Sequence, residues 1–219
     1  MKKPKKLVIF DIDGTLTDSV TVYHKVVIDS LNLMGMDNVD TDFFNYKYHT
    51  DSYTLKVNYE SHFNQSFSKS LLNEFENILF SELGKYPPTI EIKGAKNCVR
   101  SLLDENFAVA FATGSLPKPA VLKLQQSDIW YKERLIATSK ISFDRETFVL
   151  QAIENARSYF DIIEFDKIYS VGDGIWDLKT AQRLNLNFIG IGSRQKDILL
   201  ANGCTTFFND LRELPAYLI

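Results

Sequence analysis

Two carboxylates two residues apart, Asp11 and Asp13, stand directly after the apolar run Leu7-Val8-Ile9-Phe10 and directly before Gly14-Thr15. A second acidic pair lies in Gly172-Asp173-Gly174-Ile175-Trp176-Asp177, again after a stretch with strand character, Lys167–Val171. Acids gathered at strand ends repel one another and lose hydration. A divalent cation removes both costs, and Mg²⁺ takes carboxylate and carbonyl oxygens while keeping several waters. The expected metal ligands are Asp11, the backbone carbonyl of Asp13, and Asp173, with Asp177 on the ion or just behind it. The i, i+4 spacing of Asp173 and Asp177 predicts both carboxylates on one face of a helix start. All four acids are therefore expected to converge on one crevice. Thr113-Gly114-Ser115 follows a third apolar run, Phe107–Ala112. A hydroxyl with backbone N–H groups at a helix start suits a phosphate oxygen, although Thr-Gly-Ser at such a turn also serves as a plain helix cap.

These residues need strands to carry them. Unbroken apolar runs read as strands buried on both faces, as in a parallel sheet. Open α/β sheets bind ligands beyond the carboxyl ends of their strands, where Asp11, Thr113 and Asp173 would fall. Between the runs, helices are predicted at Val20–Leu33 (closed by Gly35), Ala95–Glu105, Pro119–Gln126, Glu146–Tyr159, Leu178–Leu184, Gln195–Ala201 and Asp210–Leu218. Further strands are predicted at Leu135–Thr138, Asn187–Ile191 and Thr205–Phe208. Strands alternating with helices imply right-handed parallel βαβ units. Residues 40 to 83 differ: they are rich in aromatics, lack Pro and Gly, and include an amphipathic stretch at Ser68–Phe80. Residues 18–88 thus read as a mostly helical insert standing over the strand ends as a cap. All three histidines, His24, His49 and His62, fall in it. His24 is the most suggestive of them, and Lys47, His49, Asp51 and Tyr53 are further candidates to face a substrate.

Asp11-Ile-Asp13-Gly14-Thr15 resembles the first motif of the haloacid dehalogenase-like hydrolases, and the later pieces extend the resemblance over essentially the whole chain. It implies a Rossmann-like parallel core of residues 1–17 and 89–219, with residues 18–88 as a helical C1-type cap inserted after the first strand. It also implies a Mg²⁺-dependent phosphatase. Asp11 would attack phosphorus and form an aspartyl-phosphate, Asp13 would act as general acid and base, and Thr113 and Gly114 would bind phosphate. The family's third motif is a Lys, less often an Arg, before the helix that precedes the Gly-Asp strand. Here the region reads Lys140-Ile-Ser-Phe-Asp-Arg145 without a Lys-Pro pair; Arg145 at the helix start is the choice and Lys140 the alternative. Dehalogenases and phosphonatases lack an acid at the position of Asp13, so its presence favours phosphate esters. The alternatives are a phosphomutase resembling β-phosphoglucomutase and a non-catalytic phosphate- or Mg²⁺-binding regulatory protein. The mutase histidine would lie near His24, but one residue out of step. One residue turns a helical side chain by about 100°, so the role is not carried over.

With 45% hydrophobic and 24% charged residues and a net charge of −3, the composition is that of a globular protein with no call for nucleic acid or an anionic membrane as partner. The basic tip Lys2, Lys3, Lys5 and Lys6 is followed by too short an apolar run for a signal core, and no stretch approaches a membrane span. Cys98 and Cys204 lack metal-ligand spacing and are expected reduced and packed. The expectation is a cytoplasmic enzyme acting on a small phosphorylated metabolite.

Overall fold

In the computed structural model, which describes residues 3–219, one parallel sheet is formed by β1 (Lys6–Phe10), β2 (Ala108–Thr113), β3 (Ile136–Thr138), β4 (Lys167–Gly172), β5 (Asn187–Ile191) and β6 (Phe207–Phe208). Their order is β3-β2-β1-β4-β5-β6. The strand that carries Asp11 is therefore central, with the Thr113 strand on one side and the Asp173 strand on the other. Its side chains alternate between two cores. Val8 and Phe10 meet Val109, Phe111 and Val171 under α4 (Ala95–Asp104), α5 (Pro117–Gln126) and α9 (Leu214–Leu218). Leu7 and Ile9 meet Ala108, Ala110 and Ala112 under α6 (Arg145–Phe160). Burying such an aliphatic or aromatic side chain contributes roughly 1.5–3 kcal/mol, so β1, buried on both faces, anchors the sheet at its centre.

A third core belongs to the segment between β1 and α4. There α1 (Val20–Leu33), α2 (Asp51–Phe63) and α3 (Lys69–Leu83) enclose Tyr23, Val27, Leu31, Leu55, Phe75 and Leu79, joined by Leu116 from the start of α5. Gly35 ends α1 with φ +82°, the left-handed turn that glycine adopts without penalty. The two ends of the segment run side by side: the Asp18 N–H donates to the Ile90 carbonyl (2.9 Å) and the Ile92 N–H to that of Leu16 (2.8 Å).

Most predicted elements appear within a residue or two of their expected bounds. The last helix is shorter than predicted, beginning at Leu214 rather than Asp210, because Asp210 accepts from the backbone and guanidinium of Arg212 and holds those residues in a turn. Helix α7 (Ile175–Arg183) begins earlier than predicted. Cys98 and Cys204 are free and buried. Lys3 pairs with Asp161 and Lys5 with Asp166; Lys2 lies outside the described residues. Among those residues no helix is long and apolar enough to cross a membrane.

Candidate active site

The site is built where β1 stops. The Asp11 N–H still reaches across to the Val171 carbonyl of β4 (2.9 Å), and then Leu16 and Thr17 both donate to the Ile12 carbonyl, curling the chain into a tight loop. Gly14 stands in that loop at φ +82°, and a Cβ there would come within 2.3 Å of an Asp173 carboxylate oxygen. Only glycine gives both the conformation and the room. The approach brings Asp11, Asp173 and Asp177 together, one oxygen from each within 4.8 Å of the others, all buried.

Helix α6 delivers the counter-charge. Arg145, its first residue, places Nη1 2.6 Å from Asp177 Oδ1 and 3.3 Å from Asp11 Oδ1. One guanidinium in contact with three buried acids leaves them crowded and incompletely compensated. Burial and then Asp177 hold the Asp11 carboxyl well above its usual range, against the pull of Arg145. Burial, with Asp177 beside it, pushes Asp173 up to about 8. Burial raises Asp177 too, Arg145 and the Gly174 N–H opposing it. Asp173 Oδ1 is buried with no hydrogen-bond partner among the described residues. Hard oxygen donors, crowded carboxyls and an orphaned carboxylate oxygen fit a divalent cation.

The expected i, i+4 helical face is corrected here. Asp173 lies before α7, whereas Asp177 is its third residue and accepts the Gly174 N–H (3.1 Å). The two carboxylates meet because the Gly172–Gly174 turn folds one against the helix start, and not because they share a helical face.

Asp11, Asp13 and Asp173 line one crevice as expected, but the close cluster holds three carboxylates and not four. The Asp13 side chain stays outside the cluster and is engaged by donors: Lys123 Nζ at 2.6 Å from each oxygen, Ser19 Oγ at 2.5 Å and Ser115 Oγ at 2.8 Å. Lys123, on α5, is completely buried, bonds Ser115 Oγ as well (2.7 Å), and lies 3.6 Å above the Tyr23 ring. Burial works against the Asp13 carboxylate, but Lys123 and the two serines outweigh it and hold the group below its usual range. Lys123 escaped the sequence reading. Its signal was a lysine on the apolar face of α5, in step with Ala120 and Leu124.

Of the other expected residues, Thr113 is buried at the end of β2 and accepts the Ser115 N–H (3.1 Å) through its hydroxyl. Gly114 is where the helical segment touches the sheet: its carbonyl accepts the Asp51 N–H (2.9 Å), and a Cβ would lie 2.4 Å from the His49 carbonyl. Lys140 does not reach the acids; its Nζ bonds Glu76 of α3 (2.6 Å), so the structure brings Arg145 and not Lys140 to the cluster.

A cavity of about 220 Å³ lies between the sheet and the helical segment, lined among others by Asp11, Asp13, Thr113, Arg145 and Asp173. Its far wall is aromatic. His24 stacks on Phe43 (centroids 3.9 Å apart) and His49 on Trp176 (4.2 Å), with Phe44 beside the second pair. Burial lowers both imidazoles, His49 to about 4, and so favours their neutral forms. Asp51, pushed up to about 6 by burial, accepts from Tyr23 Oη (2.5 Å) and the Leu116 N–H (2.8 Å). Tyr53 packs edge-on against Tyr48 and Phe143, and Lys47 lies over Tyr48 in an exposed position.

The sequence profile of the haloacid dehalogenase-like hydrolases matches residues 8–191. The chain belongs to that family. No curated protein resembles the sequence closely enough to count as a match. Among solved structures, a hydrolase from Pseudomonas syringae aligns with a TM-score of 0.72 at 20% identity, covering 99% of this chain and 98% of that one. A family IA, variant 3 hydrolase from Entamoeba histolytica gives 0.70 at 20% identity, with 95% and 94% covered. CbbY from Rhodobacter sphaeroides, crystallised with phosphate, gives 0.65 at 12% identity and 95% of each chain. At these identities the likeness is one of fold: the family's α/β Rossmann-like core with its parallel sheet.

Proposed function

We propose that this hydrolase is a Mg²⁺-dependent phosphatase that cleaves a small phosphomonoester through an aspartyl-phosphate on Asp11. Residues 1–17 and 89–219 form its core, and residues 18–88 form a cap over the site. The observation that carries the reading is the unbalanced cluster of Asp11, Asp173 and Asp177 around one arginine, with Asp173 Oδ1 left without a partner. Asp11, Asp173 and the Asp13 backbone carbonyl would hold Mg²⁺, with Asp177 on the ion or behind it. Bound there, Mg²⁺ supplies the charge that lets a carboxylate approach a phosphate and draws electron density from the phosphoryl oxygens.

The chain's own residues do the rest. Arg145, fixed by Asp177, is positioned to orient Asp11 and to meet phosphoryl oxygens, and the Thr113 hydroxyl and Gly114 line their seat. Asp11 attacks phosphorus and the ester oxygen departs, which divides one hard displacement into two easier ones. Asp13 protonates the leaving oxygen and then takes a proton from the water that attacks the acyl phosphate, work that contributes typically ~10²–10⁴-fold. As bound by Lys123, Asp13 is in its ionised form, ready for the second step. The first step requires a loosening of the Lys123 contact when the ester is bound.

Hydrolysis of para-nitrophenyl phosphate, with Mg²⁺ and with chelator, tests the reading beside Asp11→Asn. Metal-dependent phosphate release that the substitution abolishes is the expected result. Conversion of a sugar phosphate to its isomer without phosphate release would indicate a mutase instead. Phosphate release that persists in Asp11→Asn would overturn the assigned nucleophile.

A further inference from the structure

We infer that the substrate of this site carries a second anionic group, a carboxylate or another phosphate, and that Arg194 with Gln195 forms the subsite that receives it. The inference rests on the phosphatase reading and deepens it.

It follows from where the cations of the cavity are engaged. Arg145 is held by Asp11 and Asp177, and Lys123 by Asp13. The two histidines of the wall are half-buried, and that burial favours their neutral forms. Arg194 also lines the cavity, and among the described residues no carboxylate pairs with it. Its position is set by the loop after β5. Gly192 there adopts φ +83°, with the Gly14 carbonyl 3.7 Å from where its Cβ would be, so this loop packs directly against the Asp11–Gly14 loop. Arg194 is close enough to act electrostatically on both Asp173 of the core and His24 of α1, the two sides of the cavity.

Gln195 supplies a second, independent indication. It is more than nine-tenths buried and lines the same cavity. Its Oε1 is used by the Ile175 N–H (3.1 Å), so its amide NH₂ is the end left over, with no acceptor among the described residues. A guanidinium and an amide donor lining one cavity, with no protein acceptor among the described residues, offer a seat for an oxyanion.

The size of the cavity limits what lies between the two anions. About 220 Å³ falls below the ~300–1,000 Å³ of pockets that enclose drug-sized ligands, and the His24–Phe43 stack forms part of its wall. The volume favours an alcohol of a few carbons over a nucleoside.

Three phosphate esters of matched length test this: 2-carboxyethyl phosphate, 1,3-propanediol bisphosphate and propyl phosphate, with adenosine monophosphate as the bulky control. The wild type is expected to prefer at least one of the two charged esters over propyl phosphate by about 10-fold or more in kcat/KM, the scale of one charge-assisted contact at a partly exposed arginine. Which charged ester leads identifies the carboxylate or the phosphate as the anion. Arg194→Ala is expected to bring that preference close to unity, and Arg194→Lys to keep part of it. Equal turnover of charged and neutral esters by the wild type, a preference that survives Arg194→Ala, or adenosine monophosphate as the best ester would overturn the inference and leave the phosphatase reading standing. No turnover of any ester, para-nitrophenyl phosphate included, would remove both.

Discussion

Asp13 and the trio Asp11, Asp173 and Asp177 meet at one loop, yet they are finished to different degrees. Asp13 has a buried lysine and two hydroxyls on its two oxygens, and its carboxyl lies below the usual range despite burial. Among the described residues the trio has one guanidinium in contact, keeps one oxygen without a partner, and has every carboxyl raised. A completed ion pair contributes to holding the folded chain together. An incomplete one leaves repulsion that a proton or a bound cation relieves. The difference separates a group whose position is fixed in advance from groups that a bound cation would complete.

The same isosteric change should therefore act oppositely on stability at the two places. Asp11→Asn and Asp13→Asn are both expected to silence turnover, the first through the nucleophile and the second by roughly 10²–10⁴-fold. Without metal at pH 7, Asp11→Asn should raise the melting temperature, because it removes a carboxyl whose ionised form burial and Asp177 disfavour. Asp13→Asn should lower stability by about 3 kcal/mol, because Lys123 loses its counter-charge in a fully buried place. Adding Lys123→Met to Asp13→Asn should recover part of that loss. Thermal melts of the single and double variants decide it; equal signs at Asp11 and Asp13 would erase the distinction.

The two candidate cations sharpen the contrast. Arg145→Ala removes the one positive group touching the trio and should cost about 10²–10³-fold in kcat, the scale of a lost charge-stabilising donor. Lys140→Ala removes a half-exposed partner of the buried Glu76, away from the acids, and should leave kcat within about twofold while costing about 1–3 kcal/mol of stability, because a buried carboxylate loses its partner. Steady-state kinetics of the pair decide which cation belongs to the site.

The sheet was legible because its central strands carry the unbroken apolar runs Leu7–Phe10 and Phe107–Ala112, and the trio because its acids and glycines sit at strand ends. What could not be read is pairing over long separations. Lys123 lies 110 residues from Asp13, and nothing local to either announces the other. Its place on the apolar face of α5 was visible in principle, as was that of Glu76 beside Leu72, Phe75 and Leu79 on α3. Both are charged residues at core positions, and both proved to bind a partner from elsewhere in the chain. Pattern reading treats such a residue as noise in an apolar stripe, although a buried charge needs a partner more than any apolar neighbour does.

Metal addition should act on one group of acids and not on the other. Mg²⁺ at 100 times its dissociation constant is expected to stabilise the folded protein by about 2.7 kcal/mol. Asp173→Asn should lose most of that gain while melting higher than the wild type in chelator. Lys123→Met should melt lower yet keep the metal-induced rise. A thermal shift of equal size in all three proteins would place the metal away from the trio.

The seam between α2 and the core offers the smallest effect and a third degree of completion. Asp51 receives both of its hydrogen bonds, from Tyr23 Oη and the Leu116 N–H, on the single oxygen Oδ2. An asparagine can keep both through its one carbonyl. What it cannot do is ionise. Burial pushes Asp51 up to about 6 from its ordinary 3.8, so the folded chain holds this proton more tightly than the unfolded one. The contribution to stability is then fully present below about pH 4 and is lost as the pH rises through about 6. The stability of the wild type minus that of Asp51→Asn should accordingly fall by on the order of 2–3 kcal/mol between pH 4 and pH 7. Urea unfolding of both proteins at pH 4, 5, 6 and 7 measures the difference. A flat difference would mean that Asp51 is as well neutralised as Asp13, and a rise with pH would mean that Lys123 serves both carboxylates.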